Sequence, residues 1–206
     1  MPGKGDPVRW LASVVTPGAV FIDGGANEGR MSQAARDLGA TVYAVEPDPR
    51  CVEFLTKLGV THIACALGRQ TGAGQFYLGP SPAHSSRFAA CVKGFERETI
   101  VPVIALDSIE DAAVIKLDLQ GGEADAIRGA AHQLSVCRQW CVELWPHAFT
   151  QTGDDPAAFL DAFASHDLKP HWMEAGTPVE TTYAEMLAYL QNAHAAHEHV
   201  NAVFAR

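Results

Sequence analysis

Apolar positions along this chain fall in short runs separated by segments with helical spacing. The runs at 19–22, 41–45, 61–65 and 140–144, and the run at 113–117 broken only by Lys116, have the length and continuity of buried strands. Between them, 29–38, 49–58 and 123–134 read as helices. Strands alternating with helices in this way predict βαβ units and a parallel sheet covered on both faces. Pro17-Gly18 introduces the first run, Gly39 closes the first helix, and Pro49 suits the first position of the second. Further strands are expected at 75–78, 99–105, 169–173 and 201–205. Helices are expected at 157–166, behind Asp155 as N-cap and Pro156, and near 183–197. The polar stretch 81–94 predicts a mobile loop over one edge of the sheet.

The 206 residues, 48% of them hydrophobic, are enough for one α/β domain with a full core. The net charge of −9, with only 15 basic residues, argues against nucleic acid as a partner and against anionic membrane surfaces. No apolar run approaches the ~20 residues of a membrane span. The first residues, Met1 to Asp6, are not followed by the apolar core of a signal peptide, so a cytoplasmic location is expected. Five cysteines, at 51, 65, 91, 137 and 141, give an odd number without a paired framework, which fits a reducing compartment and a packing role. Cys137 and Cys141 would share a face only in a helix, and two thiols make a poor metal site.

Candidate chemistry starts where the first run ends. Asp23 is followed by the turn Gly24-Gly25-Ala26-Asn27-Glu28-Gly29, and the second run ends in Glu46. This is the layout of a nucleoside-cofactor pocket at the carboxyl edge of a parallel sheet. A dinucleotide needs close backbone approach to its pyrophosphate, yet the second glycine of that fingerprint is replaced by Ala26. S-adenosylmethionine has no phosphate. Asp23 suits its ammonium, backbone N–H groups near Asn27 to Gly29 suit its carboxylate, and Glu46 suits its ribose hydroxyls. An NAD(P)-dependent Rossmann oxidoreductase and a non-catalytic binding protein that keeps the fold stand as alternatives.

Several blocks occur in order between Val20 and Leu144. They are Ile22 to Gly29, Val45-Glu46-Pro47, Cys65-Ala66-Leu67-Gly68, Ala105-Leu106-Asp107, Ile115 to Glu123, Ile127-Arg128-Gly129-Ala130 and Val142-Glu143. Together they resemble FkbM-type methyltransferases. The resemblance implies a Rossmann-like class I methyltransferase fold, α/β, with a seven-stranded, mostly parallel sheet of order 3-2-1-4-5-7-6 and the last strand antiparallel. It implies S-adenosyl-L-methionine as cofactor and O-methylation of a small molecule or sugar. The cofactor would be held by Asp23, Gly25, Ala26, Asn27, Gly29, Glu46 and Pro47, with Ala66 and Leu67 flanking the adenine. The expected organisation is one methyltransferase domain over 1–206. It has an N-terminal extension at 1–17, a cofactor-binding core at 18–150, and a divergent part at 151–206 that completes the sheet. One departure stands out: where the family leads one to expect a glutamate, this chain has Gln120.

A hydroxyl acceptor must lose a proton, so a base is expected at the carboxyl ends of the fourth and fifth strands. Asp118 and Glu143 lie there, and Lys116 shares a strand face with Asp118. Glu123 belongs to the first turn of the following helix, with a possible substrate contact. His147 and Trp145 flank the same edge as further acceptor-side candidates, and Ser85, Ser86 and Arg87 lie in the predicted loop. His194, His197 and His199 lack a completing ligand set beyond the adjacent Glu198, so no metal is expected and a solvated helix end is the reading.

Overall fold

A computed structural model describes residues 6–192 and 198–206. The chain runs α1 (Pro7–Val14), β1 (Val20–Gly24), α2 (Arg30–Asp37), β2 (Thr41–Val45), α3 (Val52–Leu58), β3 (Thr61–Ile63), β4 (Ala66–Leu67), β5 (Gly72–Leu78) and β6 (Arg97–Ile104). It continues through β7 (Val114–Leu117), α4 (Glu123–Ile127), α5 (Ala131–Val136), β8 (Gln139–Leu144), α6 (Pro146–Thr152), α7 (Pro156–Ala164), β9 (Lys169–Glu174), β10 (Thr177–Glu180), α8 (Tyr183–Leu190) and β11 (Val200–Ala205).

The main sheet has the order β3-β2-β1-β7-β8-β11-β9-β10. Its first seven members are the expected 3-2-1-4-5-7-6 arrangement, with β11 antiparallel to both neighbours. The eighth strand, β10, corrects the expected count. It pairs with β9 through a two-residue turn in which Ala175 and Gly176 both have positive φ, 48° and 80°. A type I′ turn needs that backbone, and alanine at its first position hides the hairpin from a sequence reading. The expected strands at 75–78 and 99–105 do not join the main sheet. They form β5 and β6, which with β4 make a separate three-stranded sheet.

The predicted helix 123–134 is broken into α4 and α5. A Cβ on Gly129 would lie 2.4 Å from the Gly68 carbonyl oxygen, so backbone meets backbone there. The Asp107 carboxylate then starts α5 by accepting the N–H groups of His132 and Gln133, each at 2.9 Å. Residues 7–14, for which no element is predicted, form α1. Asp6 caps it by accepting the Val8 N–H at 3.0 Å, and Pro7 sits in its first turn. Trp10 and Leu11 of α1 pack with Phe21, Met31, Val42, Val114, Met173 and Val203 on one face of the sheet. The opposite face buries Ile22, Ile115, Trp140 and Val142 against α4, α7 and α8. There the rings of Phe163 and Phe204 stack at 3.9 Å. These two layers leave the carboxyl edge of β1, β2, β7 and β8 open between them.

Candidate active site

At that edge the backbone itself makes the first wall. Gly25 has φ 69°, and a Cβ there would lie 1.9 Å from the Asp118 carbonyl oxygen, so only glycine fits. The Gly25 and Ala26 N–H groups donate to Val45 O at 2.9 and 3.2 Å, which fixes the turn against β2. Asn27, with φ 50°, donates its N–H to Glu46 Oε2 at 2.9 Å. Glu46 Oε1 accepts from the Asp48 N–H at 2.8 Å. Burial pushes the Glu46 carboxyl up to about 7, against the pull of those two N–H donors. Gly25, Ala26, Asn27, Glu46, Pro47, Ala66 and Leu67 all line one cavity of about 270 Å³. Gly29 does not. Its φ of 86° and the 2.3 Å approach of Leu58 Cδ1 to a built Cβ show a glycine needed for packing α3 under the turn.

Asp23 and Lys116 form a buried pair beside the glycine turn. The Asp23 carboxylate is fully buried behind the cavity wall, where Oδ2 accepts from Ser32 Oγ at 2.7 Å and Oδ1 lies 3.2 Å from Lys116 Nζ. It is not among the residues that line the cavity. Lys116 Nζ also donates to the carbonyls of Gly24 at 3.1 Å and Gly25 at 2.7 Å. Burial works to lower its pKa, but Asp23 and Asp118 outweigh that and hold it above the ordinary lysine range. Its ammonium is therefore a cationic tie for the glycine turn, and it lines the cavity beside Asp118.

Beyond Lys116 the cavity wall is made of side chains. Asp118 and Gln120 line it. Gln120 Nε2 donates to Asp118 Oδ1 at 2.8 Å and to Glu143 Oε2 at 3.0 Å, joining the two predicted acids. The other Glu143 oxygen pairs with His199 Nδ1. Burial and the nearby Asp118 charge raise the Glu143 carboxyl above the usual range. Glu123 is near but faces the loop. Its two oxygens accept the N–H groups of Leu119 and Gly121, and burial pushes it up to about 8. Glu123 is not among the residues that line the cavity. Trp145 and His147 do stand together, with ring centroids 5.2 Å apart, and Trp145 lies 6.5 Å from the His199 ring.

The segment 81–94 is pinned at both ends of the cavity, a correction to the mobile loop expected there. Ser85 Oγ donates to Asp48 Oδ2 at 3.0 Å, and Ser86 Oγ donates to the Gln120 carbonyl at 2.8 Å. Both serines are buried and hold the segment, although Ser85 also reaches the cavity wall. Arg87 is tied to Asp125 Oδ2 at 2.6 Å. The residues missed from sequence are Gln120, noted there only as a departure, His199, weighed only as a metal ligand, and Asn201, which lines the cavity beside Glu143 in register. His194 and His197 lie outside the described residues. All five cysteines are free and buried, and burial pushes Cys65 and Cys91 up to about 11 and Cys137 and Cys141 up to about 12. Thiols so protonated suit packing, not nucleophilic chemistry. Among the described residues no helix is long and apolar enough to cross a membrane.

A family model described as Methyltransferase FkbM domain matches residues 23–195. No curated protein matches the chain. Among solved structures, a TehB-like SAM-dependent methyltransferase from Corynebacterium glutamicum aligns at 13% identity and TM-score 0.52, covering 97% of this chain and 86% of that one. Magnesium protoporphyrin IX methyltransferase from Synechocystis, solved with bound SAM, aligns at 13% identity and TM-score 0.51, covering 97% and 76%. An rRNA methylase from Streptococcus thermophilus aligns at 10% identity and TM-score 0.52, covering 97% and 93%. At such identities the likeness is one of fold, that of class I methyltransferases. The last two names point to unlike acceptors, a porphyrin and an RNA, so the fold does not choose between them.

Proposed function

The chain belongs to the FkbM methyltransferase family, and on that premise we propose that it methylates a hydroxyl oxygen of a small molecule or sugar, with S-adenosylmethionine as donor. One observation carries the reading: a single cavity runs from Glu46 and the Gly25–Asn27 turn to Asp118 and Gln120. The residues at its first end fit the donor. Gly25 leaves no room for a side chain, so the wall there is backbone. The Glu46 oxygens each receive one backbone N–H and keep lone pairs for two ribose hydroxyls. Ala66 and Leu67 give an apolar flank for a flat base. Asp23 supports the turn through Lys116.

When bound, S-adenosylmethionine supplies a methyl group on a sulfonium, an already activated leaving group. What the protein must add is position and a place for the acceptor's proton. Asp118 is at the cavity wall and orients the hydroxyl, and Glu143 supports it through Gln120. The net charge of −9 and the carboxylates at this end support a neutral acceptor over a nucleic acid. The 1–206 chain is read as one methyltransferase domain, with α1 as part of its core.

Isothermal calorimetry with S-adenosylhomocysteine tests the donor site. Saturable binding in the micromolar range is expected, and absence of heat from the folded protein at high micromolar ligand would end the proposal. A methyl-labelled donor offered with polyols or with RNA tests the acceptor, and label in RNA alone would overturn the small-molecule reading.

A further inference from the structure

Gln120 is fixed on every side. Its backbone is left-handed, with φ 52°, in the loop between β7 and α4. Its carbonyl accepts from Ser86 Oγ at 2.8 Å, and Glu123 accepts the N–H groups of Leu119 and Gly121 on either side of it. The side chain then has one direction to take. An amide NH2 carries two protons, so Nε2 can hold Asp118 Oδ1 at 2.8 Å and Glu143 Oε2 at 3.0 Å at once. A glutamate at this position would add a third negative charge and offer no donor.

The two acids it joins differ in access. The Glu143 side chain is 8% exposed and is held on its other oxygen by His199. The Asp118 side chain is 38% exposed, and its second oxygen, Oδ2, lies 4.0 Å from Lys116 Nζ at the cavity wall. Asp118 is thus the more open of the two acids and the one that can meet an acceptor.

We propose that Gln120 is a positioning residue whose amide holds Asp118 and Glu143 side by side, so that Asp118 Oδ2 faces the cavity as the oxygen that takes the acceptor's proton. The proposal rests on the methyl-transfer reading above. In the step it describes, the acceptor O–H bond breaks, its electron pair stays on the acceptor oxygen, and the proton forms a new bond to Asp118 Oδ2. The pair is also faced by Lys116 of β7, Glu123 of α4, Cys141 of β8, Tyr189 of α8 and His199 before β11.

Carboxyl-carbon NMR titrations of wild type, Gln120→Leu and Gln120→Glu, with Asp118 and Glu143 assigned from Asp118→Asn and Glu143→Gln, test this without an acceptor. Loss of the shared donor in Gln120→Leu should raise the midpoint of at least one of the two acids by about half a unit or more. The extra charge in Gln120→Glu should raise it by about one unit or more. The Glu46 midpoint and the affinity for S-adenosylhomocysteine should stay within about threefold of wild type in both variants. Midpoints of Asp118 and Glu143 that stay within about 0.2 units in Gln120→Glu, which is nearly isosteric and decides alone if Gln120→Leu does not fold, would overturn the clamp. A wild type that binds no S-adenosylhomocysteine would instead remove the methyl-transfer reading, and the titration would still report on the clamp.

Discussion

The two ends of the cavity are built from different materials. At the Glu46 end the glycine turn presents backbone: Gly25 and Ala26 are bonded to Val45, Asn27 to Glu46, and there is no space at Gly25 for even one carbon. At the Asp118 end the wall is side chain: Asp118 and Gln120, after β7, and Asn201 of β11 line it, and the Gln120 amide ties Asp118 to Glu143 of β8 behind them. A backbone wall is the same whatever surrounds it, so it suits a ligand that does not change. A side-chain wall can be altered one residue at a time without moving the sheet, so it suits an acceptor that differs between relatives. Lys116 sits at the boundary and serves the first end, because its ammonium holds the Gly24 and Gly25 carbonyls.

The contrast is most exposed to failure at that boundary. Lys116→Met would leave Asp23 fully buried with its nearest cation gone, and breaking such a pair typically costs about 3–5 kcal/mol. Urea unfolding should show that loss, and a loss below about 1 kcal/mol would mean that Lys116 does not hold the turn. Gly25→Ala comes next. A methyl group forced against the Asp118 carbonyl at a positive φ should cost about 2–4 kcal/mol and reduce affinity for S-adenosylhomocysteine at least about a hundredfold. Retained affinity would show that the wall is not backbone-limited.

Glu46 yields a smaller effect with an unusual sign. Glu46→Ala should weaken binding by about 10–100-fold while the fold survives, since hydrogen bonds to a charged group are worth about 1.5–3 kcal/mol. Its folded pKa, about 7, stands above the unfolded value near 4.5, so the folded state binds more protons between them. The ligand-free protein should therefore gain stability as pH falls from 8 towards 5, and lose it as pH rises through about 7. Affinity should move the other way, falling up to about tenfold per pH unit below 7 as the ribose-holding carboxylate protonates. Melting curves and calorimetry at pH 6 and pH 8 separate the two trends, and Glu46→Gln should flatten the affinity trend.

The same contrast explains what could be read from sequence. The turn, Glu46 and the βαβ order are local features, because glycines, strand ends and apolar runs are contiguous in the chain. The order of the sheet came from the resemblance to FkbM-type methyltransferases that those blocks carry. β10 escaped because Ala175 occupies a backbone state that alanine seldom takes, and α1 because its apolar face is only a turn or two long. At the acceptor end, Asp118 and Glu143 could be named from their strand ends. Their junction could not, since it needs residues 118, 120, 143 and 199 to meet through topology. The pairing of Asp23 with Lys116 escaped for a related reason. A carboxylate at a strand tip reads as a ligand group until the buried lysine opposite it in register on the neighbouring strand is seen to pair with it.

The smallest effect is the sharpest test of independence between the ends. Asp118→Asn keeps the shape of the side chain and the carbonyl that closes over Gly25. Asparagine can still accept from Gln120 through its oxygen, and Lys116 keeps Asp23 and the two turn carbonyls. Asp118 lies 4.0 Å from Lys116 and is partly solvated, so its charge contributes at most about 1 kcal/mol to that tie. Affinity for S-adenosylhomocysteine should therefore stay within about threefold of wild type, although the residue lines the same cavity. A loss of tenfold or more would mean that the acceptor end reaches the donor through Lys116, and that the two ends act as one site.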